Sequence, residues 1–158
     1  MYKIMFVCHG NICRSPMAEF VMKKLVCDKG LENEFLIRSS ATHTDEIWNG
    51  KGSPIYPPAG EQLIKHSVPF DRSKRATLLR KEDYGFFDLF VCMDEENIRS
   101  MSRIFGTSEN EKCVKLMSFT NQGGNVSDPW YTRDFDRAYN DILIGCKALL
   151  THLTEEVK

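Results

Sequence analysis

Short apolar segments alternate along the chain with longer segments in which apolar residues recur every three to four positions. The short segments have the length and residue types of buried strands, whereas the longer ones have the period of amphipathic helices. The pattern predicts strands at residues 2–7, 35–40, 89–93 and 113–118. It predicts helices at residues 16–29, 57–66, 95–105 and 132–153.

Strands that alternate with helices favour βαβ units, whose right-handed crossovers give a parallel sheet with helices on both faces. We therefore expect an α/β fold, a single three-layer αβα domain over residues 1–158 built around a four-stranded parallel sheet. Two long segments, 41–56 and 120–131, are predicted as loops because they contain Gly and Pro turn signals. Loops at strand ends are where open α/β sheets usually build their sites.

The first predicted helix has clear end signals. Ser15 is predicted to be its N-cap, and Pro16 stands at the first helical position, where the missing N–H costs nothing. Gly30 is predicted to end the helix, because glycine commonly follows a helix C-terminus.

The composition is that of an ordinary globular chain, with 158 residues of which 42% are hydrophobic and 27% charged. The 21 basic and 22 acidic side chains give a formal net charge of −1 at pH 7, whereas a general nucleic-acid binder normally has a basic excess. The longest apolar runs, 4–8 and 89–93, are far shorter than the roughly 18 residues that a membrane span needs. Neither nucleic acid nor a membrane is expected as a partner.

The six cysteines are expected to be free thiols, because the chain is larger than most disulfide scaffolds and begins with no signal-peptide pattern. The expected compartment is therefore the reducing cytosol. Cys8 and Cys13 are not expected to hold zinc, since no second Cys or His pair stands at ligand spacing elsewhere. No metal or cofactor is predicted.

A cysteine and an arginine separated by five residues stand between the first strand and the first helix, in the segment CHGNICRSP at residues 8–16. The spacing alone is weak evidence, but the flanking strand and helix start strengthen it. Gly10 and Asn11 can adopt positive φ values that turn successive N–H groups inward. The segment therefore predicts an anion-binding loop at a helix N-terminus.

Such a loop is suited to phosphoryl transfer. Converging N–H dipoles, the helix N-terminus and a guanidinium all favour the thiolate of Cys8, which predicts a nucleophile. Arg14 has a planar fork that can hold two phosphate oxygens through the transition state. Ser15 can donate its hydroxyl toward the thiolate and so help the sulfur leave.

Asp128 is predicted to be the general acid that protonates a departing tyrosine oxygen, and later the base that accepts a proton from water. Pro129 holds this aspartate in an extended conformation. The rings of Trp130 and Tyr131 follow, and they are predicted to line the pocket and lower its local dielectric.

The CHGNICRSP segment together with DPWY at residues 128–131 resembles the low-molecular-weight protein tyrosine phosphatase family. The similarity spans nearly the whole chain and includes residues 38–41 and 91–94. It implies metal-free, two-step hydrolysis of phosphotyrosine in proteins or of small aryl phosphates by a monomer or weak dimer, with Cys8 as nucleophile, Arg14 as phosphate clamp and Asp128 as acid. The substrate contacts implied or predicted from the residues are His9, Gly10, Asn11, Ile12, Cys13, Ser15, Trp48, Trp130 and Tyr131.

The resemblance also implies two supporting roles. Asn11, Ser15, Ser39 and His66 would form a hydrogen-bond network that holds the loop in shape. Cys13 would trap an oxidised Cys8 as a disulfide before further oxidation.

Two positions depart from the family pattern. His9 replaces a residue that is often apolar. Where the family commonly has an aromatic wall residue, an ungapped count reaches Asp45, with Trp48 three residues later. Either the loop shifts so that Trp48 stacks on the substrate, or the pocket lacks that wall; we favour Trp48.

Three alternative functions stay open at this point. Arsenate reduction would need a relay of further cysteines after the third strand, where Cys92 stands alone. Phosphoarginine hydrolysis is associated with threonine at the position of Ile12, and the apolar residue argues for an aryl substrate instead. A catalytically silent module would bind phosphotyrosine tightly without turnover.

Overall fold

The computed structural model describes residues 1–106 and 111–156, and within these ranges it contains six strands and six α-helices. The strands are β1 (Tyr2–Cys8), β2 (Phe35–Ala41), β3 (Ile47–Trp48), β4 (Lys51–Gly52), β5 (Leu89–Cys92) and β6 (Cys113–Lys115). The helices are α1 (Arg14–Asp28), α2 (Pro57–Lys65), α3 (Asp83–Phe86), α4 (Glu95–Phe105), α5 (Pro129–Thr132) and α6 (Phe135–Glu156).

The four strands expected from the sequence form one parallel sheet in the order β2-β1-β5-β6. This confirms the predicted sheet. In the central strand β1, Ile4 pairs with Ile37 on one side and with Leu89 on the other. All these strands point the same way, so the carboxyl ends of β1, β2 and β5 meet at one edge of the sheet, next to Cys8.

Successive side chains of β1 enter two different hydrophobic clusters, as the period of a strand requires. Ile4 and Phe6 pack with residues of α1 and α6 on one face, whereas Met5 and Val7 pack with residues of α4 on the other. Burial on both faces explains why β1 is a continuous apolar run rather than an alternating one. No helix among residues 1–106 and 111–156 combines the length and apolar character needed to cross a membrane.

The predicted start of the first helix is wrong by two residues. Helix α1 begins at Arg14, and Cys13 holds the N-cap position without a side-chain capping bond. The hydroxyl of Ser15 does not cap the helix and can contact the anion-binding loop instead. The predicted end is confirmed, because Gly30 has φ of 70° and its N–H donates to the carbonyl of Cys27.

The C-terminal third also departs from the sequence prediction. Strand β6 is shorter than expected, because a 3₁₀ turn at Leu116–Phe119 replaces its second half. The helix predicted at residues 132–153 begins later, at Phe135, as α6, whereas the predicted loop 120–131 ends in the separate short helix α5. Arg133 separates the two helices, because it adopts a left-handed conformation with φ of 62°. Asp134 then caps α6 by accepting a hydrogen bond from the N–H of Arg137.

The predicted loop 41–56 contains a small antiparallel hairpin, β3–β4. Asn49 and Gly50 form its two-residue turn, and both have positive φ, as tight hairpin turns require. Trp48 flanks this turn, and 72% of its surface is exposed.

Replacing Gly52 of β4 with alanine is expected to destabilise the protein by about 1–3 kcal/mol. An added Cβ at Gly52 would lie 2.0 Å from the carbonyl oxygen of Ala76, so one backbone segment must move. The matched control is Gly85→Ala in α3, where no atom lies within 4 Å of the new methyl group. Chemical denaturation of the three proteins measures the difference; equal stability of Gly52→Ala and wild type would contradict this packing.

Candidate active site

The loop that joins β1 to α1 curls around the side chain of Cys8. Asn11 has φ of 61°, which confirms the expected left-handed conformation, and its N–H donates to Cys8 Sγ at 3.3 Å. Gly10 does not have a positive φ, so that part of the prediction is wrong. A Cβ at Gly10 would lie 3.4 Å from Glu46 Cγ, which is an ordinary van der Waals contact.

Cys8 is buried at the end of β1, and its Sγ lies 3.0 Å from the hydroxyl of Ser15. The side-chain amide of Asn11 donates to that same hydroxyl oxygen at 2.7 Å. Because the Ser15 oxygen already accepts this bond, the hydroxyl proton is available for the sulfur. The thiol is thus surrounded by donors, an arrangement that stabilises a thiolate.

Asn11 uses all of its side-chain hydrogen-bonding groups to hold the loop. Its amide nitrogen also donates to Ser39 Oγ at 3.0 Å, and its Oδ1 accepts from the N–H of Thr77 at 3.0 Å. Ser39 in turn donates to Oε1 of the buried Glu19 at 2.6 Å. The structure therefore brings together three of the four predicted supporting residues, Asn11, Ser15 and Ser39.

His66 is not part of this network, and the prediction for it is corrected. It lies exposed at the end of α2, where its ring stacks on Tyr139 with centroids 4.0 Å apart. Lys74 supports the loop from behind instead, because its Nζ donates to the carbonyl of Ser39 at 3.0 Å and lies 4.0 Å from Glu19. Burial lowers the pKa of Lys74, although the charge of Glu19 opposes that shift.

The guanidinium of Arg14 is buried and held at three points. Its Nη1 donates to Asp94 at 2.8 Å and to the carbonyl of Val126 at 2.9 Å, and its Nη2 lies 3.5 Å from Asp128. Burial opposes the positive charge, but the charges of Cys8, Asp128 and Asp94 outweigh it and raise the pKa of Arg14. The guanidinium cation is therefore fixed at the phosphate-binding loop, residues 8–14, which we call the cradle.

The two carboxylate oxygens of Asp128 have different partners. Oδ1 accepts from the N–H of Trp130 at 3.0 Å, which caps the short helix α5 after Pro129. Oδ2 points toward Arg14 and is the oxygen directed at the cradle. The Asp-Pro step thus positions a carboxylate beside Arg14, at the cavity that Cys8 also lines.

One cavity of about 230 Å³ joins these groups. The predicted site residues that line it are Cys8, His9, Gly10, Asn11, Ile12, Cys13, Arg14, Asp128, Trp130 and Tyr131. Ser15 and Ser39 lie behind the loop, in the network described above. Among the described residues, no group of three or more His, Cys, Asp or Glu side chains could hold a metal ion.

Trp48 is not among the residues that line the cavity, which corrects the preference for it as the aromatic wall. The alternative residue, Asp45, does line the cavity, together with Glu46. The hairpin turn is the physical reason, because it follows Trp48 directly and leaves that side chain exposed. The cavity thus has aromatic rings on the α5 side and carboxylates on the side of the loop after β2.

Sequence reasoning missed several of the residues that hold this site. Asp94 follows β5 and both pairs with Arg14 and caps α4 through the N–H of Asn97. A polar residue directly after a buried strand was the available signal. Glu19 is buried on α1 although it is charged, and nothing in the local pattern indicated either Glu19 or Lys74.

Comparison with known proteins decides the family. The family model described as "Low molecular weight phosphotyrosine protein phosphatase" matches residues 3–158. The chain belongs to this family. It is accordingly an enzyme of the cysteine-dependent hydrolase class.

Relatives from distant organisms support the assignment. The low molecular weight phosphotyrosine protein phosphatase of Gallus gallus is 37% identical over 153 residues, which cover 93% of this chain and 92% of the relative. The crystal structure of YfkJ from Bacillus subtilis superposes with a TM-score of 0.93 at 31% identity, covering 100% of this chain and 98% of that one. The crystal structure of SP-PTP, a low molecular weight protein tyrosine phosphatase from Streptococcus pyogenes, has a TM-score of 0.84 at 35% identity, covering 97% and 93%.

Replacing Asn11 with alanine is expected to lower kcat/KM for an aryl phosphate by about 10- to 100-fold, because three buried or part-buried hydrogen bonds that shape the phosphate-binding loop are lost. Steady-state kinetics with para-nitrophenyl phosphate measure the effect. The control is Asn33→Ala, which removes an exposed amide between α1 and β2. Equal activity of the two variants would show that the network does not position the loop.

Proposed function

We propose that this chain hydrolyses phosphotyrosine in proteins, and small aryl phosphates, through a cysteinyl-phosphate intermediate. The observation that supports it most directly is the convergence of the Cys8 sulfur, the Arg14 guanidinium and the Asp128 carboxylate on one cavity. These three groups supply a nucleophile, an electrostatic clamp and a proton donor. No step of this reaction needs a metal or cofactor.

In the first step the thiolate of Cys8 attacks phosphorus and forms an S–P bond, while the bond to the tyrosine oxygen breaks. The departing oxygen keeps the electron pair and takes a proton from the carboxylic acid of Asp128. Arg14 is held through its Nη1 by Asp94 and Val126, and its remaining N–H groups would donate to the phosphate oxygens. Backbone N–H groups of the loop stabilise the negative charge on the same phosphate oxygens.

In the second step a water molecule attacks phosphorus, and the carboxylate of Asp128 accepts a proton from that water. The S–P bond breaks, inorganic phosphate leaves and the electron pair returns to the sulfur of Cys8. The hydroxyl of Ser15, 3.0 Å from this sulfur, stabilises the thiolate as it departs. The enzyme then returns to its starting state.

The test is hydrolysis of a phosphotyrosine peptide and of para-nitrophenyl phosphate in EDTA from about pH 5 to pH 8. Acid quenching during turnover of phosphorus-labelled substrate, followed by peptide mapping, locates the covalent intermediate. We expect turnover of both substrates and label on the peptide that contains Cys8. Label on another residue, or none during rapid turnover, would contradict the proposed mechanism.

Phosphoserine and phosphoarginine peptides of matched sequence complete the experiment. Ile12 lines the cavity with an apolar side chain and Trp130 and Tyr131 add rings, which favours an aryl substrate over either alternative. Faster hydrolysis of phosphoarginine would replace phosphotyrosine as the proposed substrate. Tight binding of phosphotyrosine without turnover would indicate a silent module.

The structure gives little support to arsenate reduction. Cys92 is fully buried, and burial together with the charge of Asp94 raises the pKa of its thiol well above the ordinary value. A relay cysteine must also reach a disulfide or an arsenic adduct at the cavity, and Cys92 does not line that cavity. Thiol-dependent arsenate turnover would overturn this assessment.

The proposal keeps three further expectations from the sequence. Cys13 is the residue that would trap an oxidised Cys8. Burial, and then the charge of Cys8, raise the pKa of the Cys13 thiol. A reducing cytosol is the compartment that keeps Cys8 active, and a monomer or weak dimer is the expected state. Phosphorylated proteins are the expected partners.

A further inference from the structure

The imidazole of His9 joins the phosphate-binding loop to the loop that follows β2. Its Nε2 lies 2.7 Å from Oδ2 of Asp45, and its ring stacks on His43 with centroids 4.0 Å apart and planes 9° from parallel. The backbone repeats the connection, because the N–H of His43 donates to the carbonyl of His9 at 3.1 Å. His9 thus contacts this loop in two ways, by stacking its ring on His43 and by a hydrogen bond from its Nε2 to Asp45.

The charges around this contact favour it. The hydrogen bond from His9 lowers the pKa of Asp45, so the acceptor is a carboxylate at neutral pH. Burial, and then the neighbouring His9, lower the pKa of His43, although Asp45 and Glu96 oppose this shift. A neutral His43 can stack on His9 without charge repulsion, whereas two imidazolium rings could not.

The segment that His9 holds forms one wall of the cavity. Asp45 and Glu46 line the cavity beside His9, and the β3–β4 hairpin with its exposed Trp48 follows them directly. A small aryl phosphate has only its phosphate group and one ring with which to contact the cavity. A protein substrate also places residues on both sides of the phosphotyrosine at the mouth, where this wall lies.

We propose that His9 is a positioning residue that fixes the Asp45–Trp48 segment against the phosphate-binding loop and thereby favours peptide substrates over small aryl phosphates. The inference rests on the proposed phosphatase activity and adds to it the origin of substrate selection. A loop that is already ordered loses less conformational freedom when a peptide binds. His9 acts through Asp45, and not by touching the reacting atoms.

The test is the ratio of kcat/KM for a phosphotyrosine peptide to kcat/KM for para-nitrophenyl phosphate. His9→Phe keeps a ring for stacking but has no nitrogen for Asp45, and the ratio is expected to fall about fivefold, the size of one partly exposed hydrogen bond. Asp45→Ala is expected to lower the ratio equally, and the double variant no further. His9→Gln retains a donor and is expected to recover most of the ratio.

Asp28→Ala is the matched control, because it removes another exposed carboxylate that bonds to a side-chain nitrogen, here that of Lys24 at the far end of α1. Asp45 is itself an exposed side chain, so its variant tests the inference even where a His9 variant folds poorly. An unchanged ratio in Asp45→Ala, additive losses in the double variant, or no recovery in His9→Gln would each overturn the inference. Failure of the wild type to hydrolyse either substrate would instead refute the proposed function.

Discussion

Replacing Cys8 with serine is expected to lower the turnover of para-nitrophenyl phosphate by about four orders of magnitude or more. A serine hydroxyl is far less acidic than a thiol, so the cradle that stabilises a thiolate cannot produce an equivalent alkoxide. The surroundings persist, because the N–H of Asn11 and the hydroxyl of Ser15 remain beside the substituted oxygen. Steady-state kinetics measure the loss.

Phosphate binding shows whether Cys8→Ser loses turnover because it lacks the nucleophile or because it is misfolded. Cys8→Ser is expected to bind inorganic phosphate still, since Arg14 and the loop are unaltered, and calorimetry measures this. The control is Cys27→Ser, an exposed thiol on α1 outside the cavity, which is expected to retain wild-type turnover. Substantial hydrolysis by Cys8→Ser would show that another group is the nucleophile.

The parts of the site that the sequence predicts best are those determined over a few neighbouring residues. Cys8 ends a strand, Asn11 has the left-handed conformation that its residue type tolerates, and Arg14 begins a helix within the same short segment. Local geometry leaves such a segment few alternatives. The Asp128-Pro129 step is local in the same way, since its cap forms with Trp130.

The parts that sequence reasoning missed depend on contacts between distant segments. Asp94 reaches Arg14 across 80 residues of chain, and Lys74 reaches Ser39 across 35. No local period indicates such a pair, because each partner is an ordinary charged residue in its own segment. The order of the strands was likewise not predicted, since alternation alone determines parallel pairing but not which strand lies at the centre.

Two errors have specific physical causes. The resemblance implies a network role for His66, but this residue ends helix α2 and stacks on Tyr139, while Lys74 supplies the contact to Ser39. The aromatic ring of Trp48 favours a place in the pocket wall, yet the tight turn that follows it leaves the ring exposed. In both cases the residue type suited the role, and the backbone placed that residue elsewhere.

Replacing Asp128 with alanine is expected to lower kcat for a phosphotyrosine peptide by about 10²- to 10⁴-fold. The tyrosine oxygen is a poor leaving group, with an ordinary pKa near ~10, so it depends on protonation as the P–O bond breaks. The nitrophenolate of para-nitrophenyl phosphate leaves more easily, so the decrease in kcat for that substrate is expected to be smaller. Rates for a series of aryl phosphates should therefore depend more steeply on the leaving group in the variant.

Asp128→Asn separates the acid from the helix cap, because Oδ1 of an asparagine can still accept from the N–H of Trp130 while the side chain cannot donate a carboxylic proton. This variant is expected to lose as much kcat on the phosphotyrosine peptide as Asp128→Ala does, with a melting temperature closer to that of the wild type. Recovery of turnover in Asp128→Asn would mean that Asp128 serves only to cap α5 and that the proton comes from another group. Equal losses in both variants, steeper for poorer leaving groups, assign the proton to Asp128 because a structural defect would not distinguish one leaving group from another.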